Sequence, residues 1–181
     1  MTKTLYLLRH AKSGWDDPVA RDFDRPLNKR GEKAARTIGQ WMASNGVTFE
    51  HVIASPDVRV IETLDGVWAG YGRKMEPTWE RRIYLASSAT VLDVLREVDD
   101  AHDIIMVVGH CPAVEDLVFD LVPDDGSSPL RDEVVIKYPT AALAQLEIPI
   151  DHWADIGKPI AHLKRFVRPR TLVYTTMLSG D

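Results

Sequence analysis

Two histidines in this chain each follow directly on an apolar run. Thr4-Leu5-Tyr6-Leu7-Leu8 leads into Arg9-His10-Ala11, and Ile104-Ile105-Met106-Val107-Val108-Gly109 leads into His110. Both runs are short and aliphatic and read as buried strands, so both imidazoles sit at strand ends. In open α/β sheets the carboxyl ends of parallel strands are where ligand sites form. A histidine there serves as a nucleophile, a proton donor or a metal ligand. Arg9, beside His10, makes an anion the expected ligand. Arg59 adds a second guanidinium. Ser55-Pro56 reads as a helix start, a hydroxyl cap followed by proline, which puts Arg59 in the first helical turn. The partial positive charge of a helix N-terminus disfavours a cation there unless an anion lies close. That anion is either Glu62, three residues on, as a surface ion pair, or a phosphoryl group. The plainer readings of the histidines are a partly buried His10 beside a surface arginine and a core His110 bonded to backbone.

Taken together, the four residues make a chemically coherent set. Two guanidiniums neutralise a phosphoryl group, one imidazole attacks phosphorus, and the other, protonated, holds the equatorial oxygens through the transition state. Protein cations supply the charge, so the expectation is no metal and no other cofactor. Metal-ligand spacings of the His-Glu-x-x-His or Cys-x-x-Cys type are absent. The acidic residues Asp16, Asp17, Asp22 and Asp24 of a polar loop from Lys12 to Leu27 do not match a calcium-binding loop. No glycine-rich nucleotide motif is present either, which disfavours a nucleotide-binding regulator.

The rest of the chain must position these groups. Its 181 residues fit one domain, 1–181, with ordinary hydrophobic (45%) and charged (27%) fractions. A net charge of -5 offers no field for nucleic acid, and the Lys164-Arg165, Arg168 and Arg170 cluster is too small to reverse that. A single cysteine, Cys111, excludes an internal disulfide. With no apolar stretch of membrane-spanning length and no signal-peptide core, the reading is a cytoplasmic protein with no membrane partner. Strand-like and helical patterns alternate, which predicts an α/β fold with a mostly parallel sheet. Strands are expected at Leu5 to Leu8, His51 to Ala54, Asp103 to Val108, Ala141 to Ile148 and Ile160 to Val167. Helices follow the Asn28 cap, Ser55-Pro56, Ser87 or Ser88, and Pro112, and Pro123 to Asp132 reads as loop.

The motifs resemble those of the histidine phosphatase superfamily, which includes phosphoglycerate mutases. Leu7-Leu8-Arg9-His10-Ala11-Lys12-Ser13 resembles its Arg-His-Gly signature. Arg25-Pro26-Leu27-Asn28 with Arg30-Gly31 and Ala34, then Ser55-Pro56 with Arg59 and Thr63, then Val108-Gly109-His110, resemble its later blocks in order. Spacing and length look most like the SixA-type phosphohistidine phosphatases, a branch that Pro139-Thr140-Ala141 and Phe166-Val167-Arg168-Pro169 also fit. The resemblance implies a phosphoglycerate mutase-like three-layer sandwich, a mostly parallel central sheet with helices on both faces. It implies that His10 becomes phosphorylated, that Arg9 and Arg59 bind the phosphoryl oxygens, and that His110 completes the pocket. Ser13 stands where mutases carry a serine near the phosphate. The chain departs from the pattern at Ala11, in place of glycine, and at Lys12, where mutases have glutamate. Asp16 stands where mutases have a phosphate-binding asparagine; its carboxylate would repel phosphate, so it turns outward or pairs with a cation. Cys111 follows the second histidine where asparagine is frequent, and reads as either an oxidisable or an inert thiol.

The general acid of such enzymes should lie in the block Pro77 to Ser87, where Glu80 is the one nearby carboxylate, about two residues out of register and flanked by Arg81 and Arg82 as ion-pair partners. A missing acid has consequences. An alkoxide leaving group has a conjugate acid with a pKa of roughly 16 and needs a proton donor, whereas the conjugate acid of imidazole lies at about 6.5. A site without a strong acid therefore suits phosphoramidates or activated aryl esters, and disfavours a mutase. The sequence thus predicts a metal-independent phosphatase acting through phospho-His10. Its partner is a protein phosphohistidine or, with Glu80 as acid, a small phosphate ester, and inorganic phosphate is the product. A phosphate- or phosphoprotein-binding module without turnover is the alternative of another class.

Overall fold

A computed structural model describes residues 1–15 and 21–172. Its strands are β1 (Lys3–Arg9), β2 (His51–Ala54), β3 (Thr78–Trp79), β4 (Ile104–Gly109), β5 (Leu143–Ile148) and β6 (His162–Val167). Its helices are α1 (Lys29–Ser44), α2 (Val58–Tyr71), α3 (Ser88–Arg96), α4 (Ala113–Leu121) and α5 (Pro129–Ile136). The strands form one sheet in the order β3-β2-β4-β1-β5-β6. The first four strands run parallel, while β5 pairs antiparallel with β1 and with β6.

Side-chain alternation along the central strands divides the interior into two cores. Leu5 and Leu7 of β1, Ile53 of β2, and Ile105 and Val107 of β4 pack with α3, α4 and Val134 of α5. Tyr6 and Leu8, Val52 and Ala54, and Met106 and Val108 pack on the other face with α1 and α2. The mostly parallel α/β sheet expected from the alternating patterns forms, with helices on both faces as the family resemblance implies. The chain leaves β1 for α1 on one face and leaves β4 for α4 on the other. Because β1 and β4 are neighbours, their carboxyl ends border the crevice that such a switch in winding opens.

Helix α2 carries Arg59, so its seating matters to the site. It lies unusually close to α1: a Cβ on Gly39 would meet the Val67 carbonyl oxygen at 2.1 Å, and one on Gly70 would meet that of Arg36 at 2.1 Å. Gly39→Ala is therefore expected to destabilise the fold by about 1–3 kcal/mol, or more if the helices cannot part. That loss outweighs the roughly 1 kcal/mol that alanine gains in helix propensity. A lower urea midpoint with an unchanged slope would show it; a rise would mean the helices separate freely.

Four local readings change. The stretch Pro123 to Asp132 is not all loop, because Ser128 caps α5 with Pro129 in its first turn. Val134 is the buried residue of that helix, so its apolar periodicity is too weak to see. Helix α2 starts at Val58 with Asp57 rather than Ser55 at the cap position. Strand β5 starts at Leu143 rather than Ala141, whose φ of 60° turns the chain first. The two-residue β3 escaped notice because both of its residues are exposed. Among the described residues no helix is long and apolar enough to cross a membrane.

Candidate phosphoryl site at the carboxyl ends of β1 and β4

Parallel pairing in register sets Arg9 opposite Gly109, so the next residue on each strand is a histidine. The His10 amide donates to the Gly109 carbonyl at 2.9 Å, and the two imidazole centroids lie 5.3 Å apart. His10 Nδ1 lies 2.7 Å from the carbonyl oxygen of Ala11. A carbonyl only accepts, so Nδ1 carries the proton and Nε2 presents a lone pair. Burial pushes the His10 imidazole down to about 4, and the charges of His110, Arg59 and Arg9 push the same way, against the hydrogen bond to Ala11. At neutral pH the ring is uncharged, with a lone pair on Nε2.

Buried His110 has the opposite polarity. Its Nε2 donates to Asp57 Oδ2 at 3.0 Å. The Asp57 carboxylate is completely buried, which by itself would raise its pKa. Hydrogen bonds from His110 and from the Ser55 hydroxyl (2.7 Å), with the charge of Arg59, hold it below the usual range instead. These partners explain why Asp57, at the cap position of α2, makes no side-chain capping bond. Its charge still sits at the positive end of the helix.

Arg59 is buried, and its partner is not Glu62, whose carboxylate accepts from the Leu27 amide at 3.0 Å. Its Nη1 and Nη2 donate to the carbonyl (2.8 Å) and carboxylate (3.1 Å) of Asp22, and Nε faces Asp57 at 3.5 Å. One turn later Thr63 Oγ1 donates to the Arg59 carbonyl at 2.6 Å and accepts from the Ala11 amide at 2.8 Å. The spacing of Arg59 and Thr63 thereby ties α2 to the residue after His10. Arg9 donates from Nη1 to the Tyr138 carbonyl at 2.7 Å. Among the described residues, the buried side-chain polar atoms without a hydrogen-bond partner are Arg9 Nε and His110 Nδ1. Both flank His10. Buried polar atoms are almost always paired, so these two nitrogens are open to a further hydrogen-bond partner, and Arg9 Nε can only donate to it.

The structure thus brings His10, His110, Arg9 and Arg59 to one place. The Ser13 hydroxyl accepts from Arg25 Nη2 at 2.6 Å, and Arg25 in turn pairs with the Asp22 carboxylate that holds Arg59. Glu80 must be corrected as an acid, because it accepts from the Arg82 amide, Nε and Nη2 at 3.0, 3.0 and 2.9 Å. Those bonds hold its carboxyl below the ordinary range. Burial pushes the Cys111 thiol up to about 11, which fits the inert reading. Asp16 lies outside the described residues, and no group of His, Cys, Asp and Glu among those described could hold a metal ion.

Asp57, Asp22 and Tyr84 were not picked out from sequence. Asp57 had a signal, a carboxylate between the Ser55-Pro56 start and a buried arginine. Asp22 had a fainter one, an acid three residues before Arg25-Pro26. Its carboxyl is held down to about 2: burial would raise it, but Tyr84, Arg25 and Arg59 all donate to it.

An uncharged imidazole beside a carboxylate-held imidazole, with two arginines close by at the carboxyl ends of β1 and β4, is an arrangement that could handle a phosphoryl group. Comparison with known proteins gives the family. The model of the Histidine phosphatase superfamily (branch 1) matches residues 5–82. The Mycobacterium tuberculosis protein Rv1276c is 33% identical over 164 residues, covering 90% of this chain and 100% of that one. Phosphohistidine phosphatase SixA of Escherichia coli is 27% identical over 135 residues, 67% of this chain and 75% of that protein. A solved structure from Agrobacterium tumefaciens, assigned as phosphohistidine phosphatase SixA, superposes with a TM-score of 0.78 at 26% identity, covering 92% of this chain and 98% of that one. The chain belongs to the histidine phosphatase superfamily and is similar to SixA-type members of it. Its fold is phosphoglycerate mutase-like.

Proposed function

We propose that this phosphatase acts through phospho-His10 and removes phosphate from phosphohistidine on a protein partner. His10 Nε2 attacks phosphorus while Arg9, Arg59 and His110 hold the phosphoryl oxygens. The bond from phosphorus to the leaving nitrogen breaks, and the substrate imidazole departs neutral, its other nitrogen having been protonated. Water then attacks phospho-His10, releasing inorganic phosphate and the free imidazole. The charge that develops is met by protein cations, so these steps call on no metal.

The observation that carries the substrate class is the state of the nearby carboxyls. Asp22, Asp57 and Glu80 are all held ionised by cationic or hydrogen-bonding partners. None has a proton to give an alkoxide, whereas imidazole leaves without a strong acid. A protein partner is favoured by the exposed apolar side chains near the site. Trp79 ends β3, which runs parallel to β2, and Leu85 follows Tyr84. Val135 and Ile136 shortly precede Tyr138, whose carbonyl binds Arg9. Exposed apolar side chains on segments that carry site residues suit a protein surface better than a small hydrophilic ester.

The test compares kcat/KM on a phosphohistidine peptide with that on an alkyl phosphate. The expected ratio strongly favours the peptide; equal or better turnover of the alkyl ester would overturn the substrate class. Labelled phosphate trapped on His10 by an alkaline denaturing quench is expected, and failure to trap it, with no turnover, would leave only a binding module.

A further inference from the structure

Tyr84 lies in the stretch where the family's acid was sought, and it does something else. Its ring stands edge-on to the His110 imidazole, with centroids 5.6 Å apart and planes at 82°. Its hydroxyl donates to Asp22 Oδ2 at 2.5 Å, the same oxygen that accepts from Arg59 Nη2. Arg59 and His110 already share Asp57. The contacts therefore close a circuit running Arg59, Asp57, His110, Tyr84, Asp22 and back to Arg59. It joins four segments of the chain that meet nowhere in sequence.

Two local features show that this placement is built. Leu85, directly after Tyr84, has φ of 47°, a region that a leucine rarely enters. Its own side chain is 56% exposed and gains no burial from that turn. The turn directly follows the residue that reaches Asp22 and His110. Asp22, in contrast, belongs to a single 3-10 turn, Asp22–Asp24, with no buried residue. Such a turn has little packing to fix it, so the side-chain bonds from Arg25, Arg59 and Tyr84 set where its carboxylate stands. The Phe23 ring against Tyr84, centroids 5.1 Å apart, adds to the same contact.

We propose that Tyr84 is a positioning residue for phosphoryl transfer: its ring holds the His110 imidazole, and its hydroxyl, through Asp22, holds the Arg59 guanidinium. The proposal rests on the phosphatase reading above. The two halves of the side chain have separable duties. The hydroxyl acts on the group that grips the phosphoryl oxygens, and the ring acts on the imidazole that stays with them through the transition state.

The experiment measures kcat and KM on p-nitrophenyl phosphate, inhibition by orthovanadate, and labelling of His10 in the wild type and variants. Tyr84→Phe keeps the ring and loses the hydroxyl; KM and the orthovanadate inhibition constant are expected to rise roughly tenfold, with kcat nearly retained, because a small misplacement of a clamping group is enough. Tyr84→Leu also loses the ring, and kcat is expected to fall by roughly a further tenfold to hundredfold. A cycle with Asp22→Asn tests the route: Tyr84→Phe should add almost nothing to Asp22→Asn if the hydroxyl acts through that carboxylate. Wild-type kinetics in Tyr84→Phe, or losses that simply add in the double variant, would overturn the proposal while labelled His10 in the wild type left the phosphatase reading standing. Absence of label and turnover in the wild type would overturn both.

Discussion

His10→Ala is expected to abolish turnover and phosphoenzyme formation while leaving the fold intact. The imidazole follows β1 rather than filling either core. Its Nδ1 proton goes to the carbonyl of the adjacent Ala11, so its removal leaves a carbonyl that water can satisfy and no buried charge. The catalytic loss has no such replacement, because His10 Nε2 is the uncharged lone pair facing the cations. Thermal denaturation within a few degrees of wild type, together with no label on the protein, is the expected result. Persisting turnover would end the mechanism. The pH dependence follows from the same environment. Burial and neighbouring cations lower the folded pKa of His10 to about 4, below the ordinary 6.5. The neutral form is the one that folding favours, so this contribution to stability is complete above about pH 6.5 and is lost as pH falls toward 4. The nucleophile likewise remains deprotonated well below neutrality. The His10 ring, followed by its NMR titration, should therefore protonate nearer 4 than 6.5, and the acid limb of kcat/KM should fall there too.

Arg59→Ala is expected to lower kcat/KM by roughly three powers of ten or more, since the proposed charge-assisted grip on the phosphoryl oxygens is lost. It carries a structural cost that His10→Ala does not. Arg59 stands between the carboxylates of Asp22 and Asp57, and Asp57 is wholly buried. Removing one partner of a buried charge costs about 3–5 kcal/mol, so the variant should also unfold at a lower temperature. Arg59→Lys separates the two effects. Its ammonium keeps a positive charge between the carboxylates and spares much of the stability, yet it lacks the planar fork. The expected pattern is a near-native transition with catalysis still down by at least tenfold to hundredfold. A lysine variant as active as wild type would mean that Arg59 serves the fold alone.

The residues that made the site legible were those whose chemistry and local context agree. Arg9-His10 and Gly109-His110 end apolar runs, and a buried strand ending in a titratable group has few purposes. The Ser55-Pro56 start made Arg59 conspicuous, because a helix N-terminus is a poor place for a cation. Strand and helix periods gave the alternation of strands and helices, and each central strand in fact alternates between two cores. The reading faltered where the deciding partner is remote. Ser55 is a sound hydroxyl cap by local rules, yet its hydroxyl goes to Asp57, which tertiary contact with His110 and Arg59 draws away from capping. Glu62 is the local partner for Arg59 at helical spacing, yet Asp22, 37 residues back, takes its place. Helix α5 escaped because a single buried residue, Val134, leaves almost no apolar period.

What the sequence determined by itself, then, is the alternation of strands and helices and the kinds of group that would meet at the strand ends, because hydrophobic period and capping act over a few residues. Only the tertiary structure decided which atoms meet at the proposed site and in what protonation state. Parallel register brings His10 beside His110. The hydrogen bond to Ala11 leaves His10 Nε2 as the free nitrogen, and Asp57 leaves His110 Nδ1 unpaired. Asp22, Asp57 and Glu80 become ionised partners of cations and hydrogen-bond donors rather than acids. Protonation states and tautomers depend on neighbours within a few ångströms in space, and those neighbours are set by the packing of segments far apart in the chain.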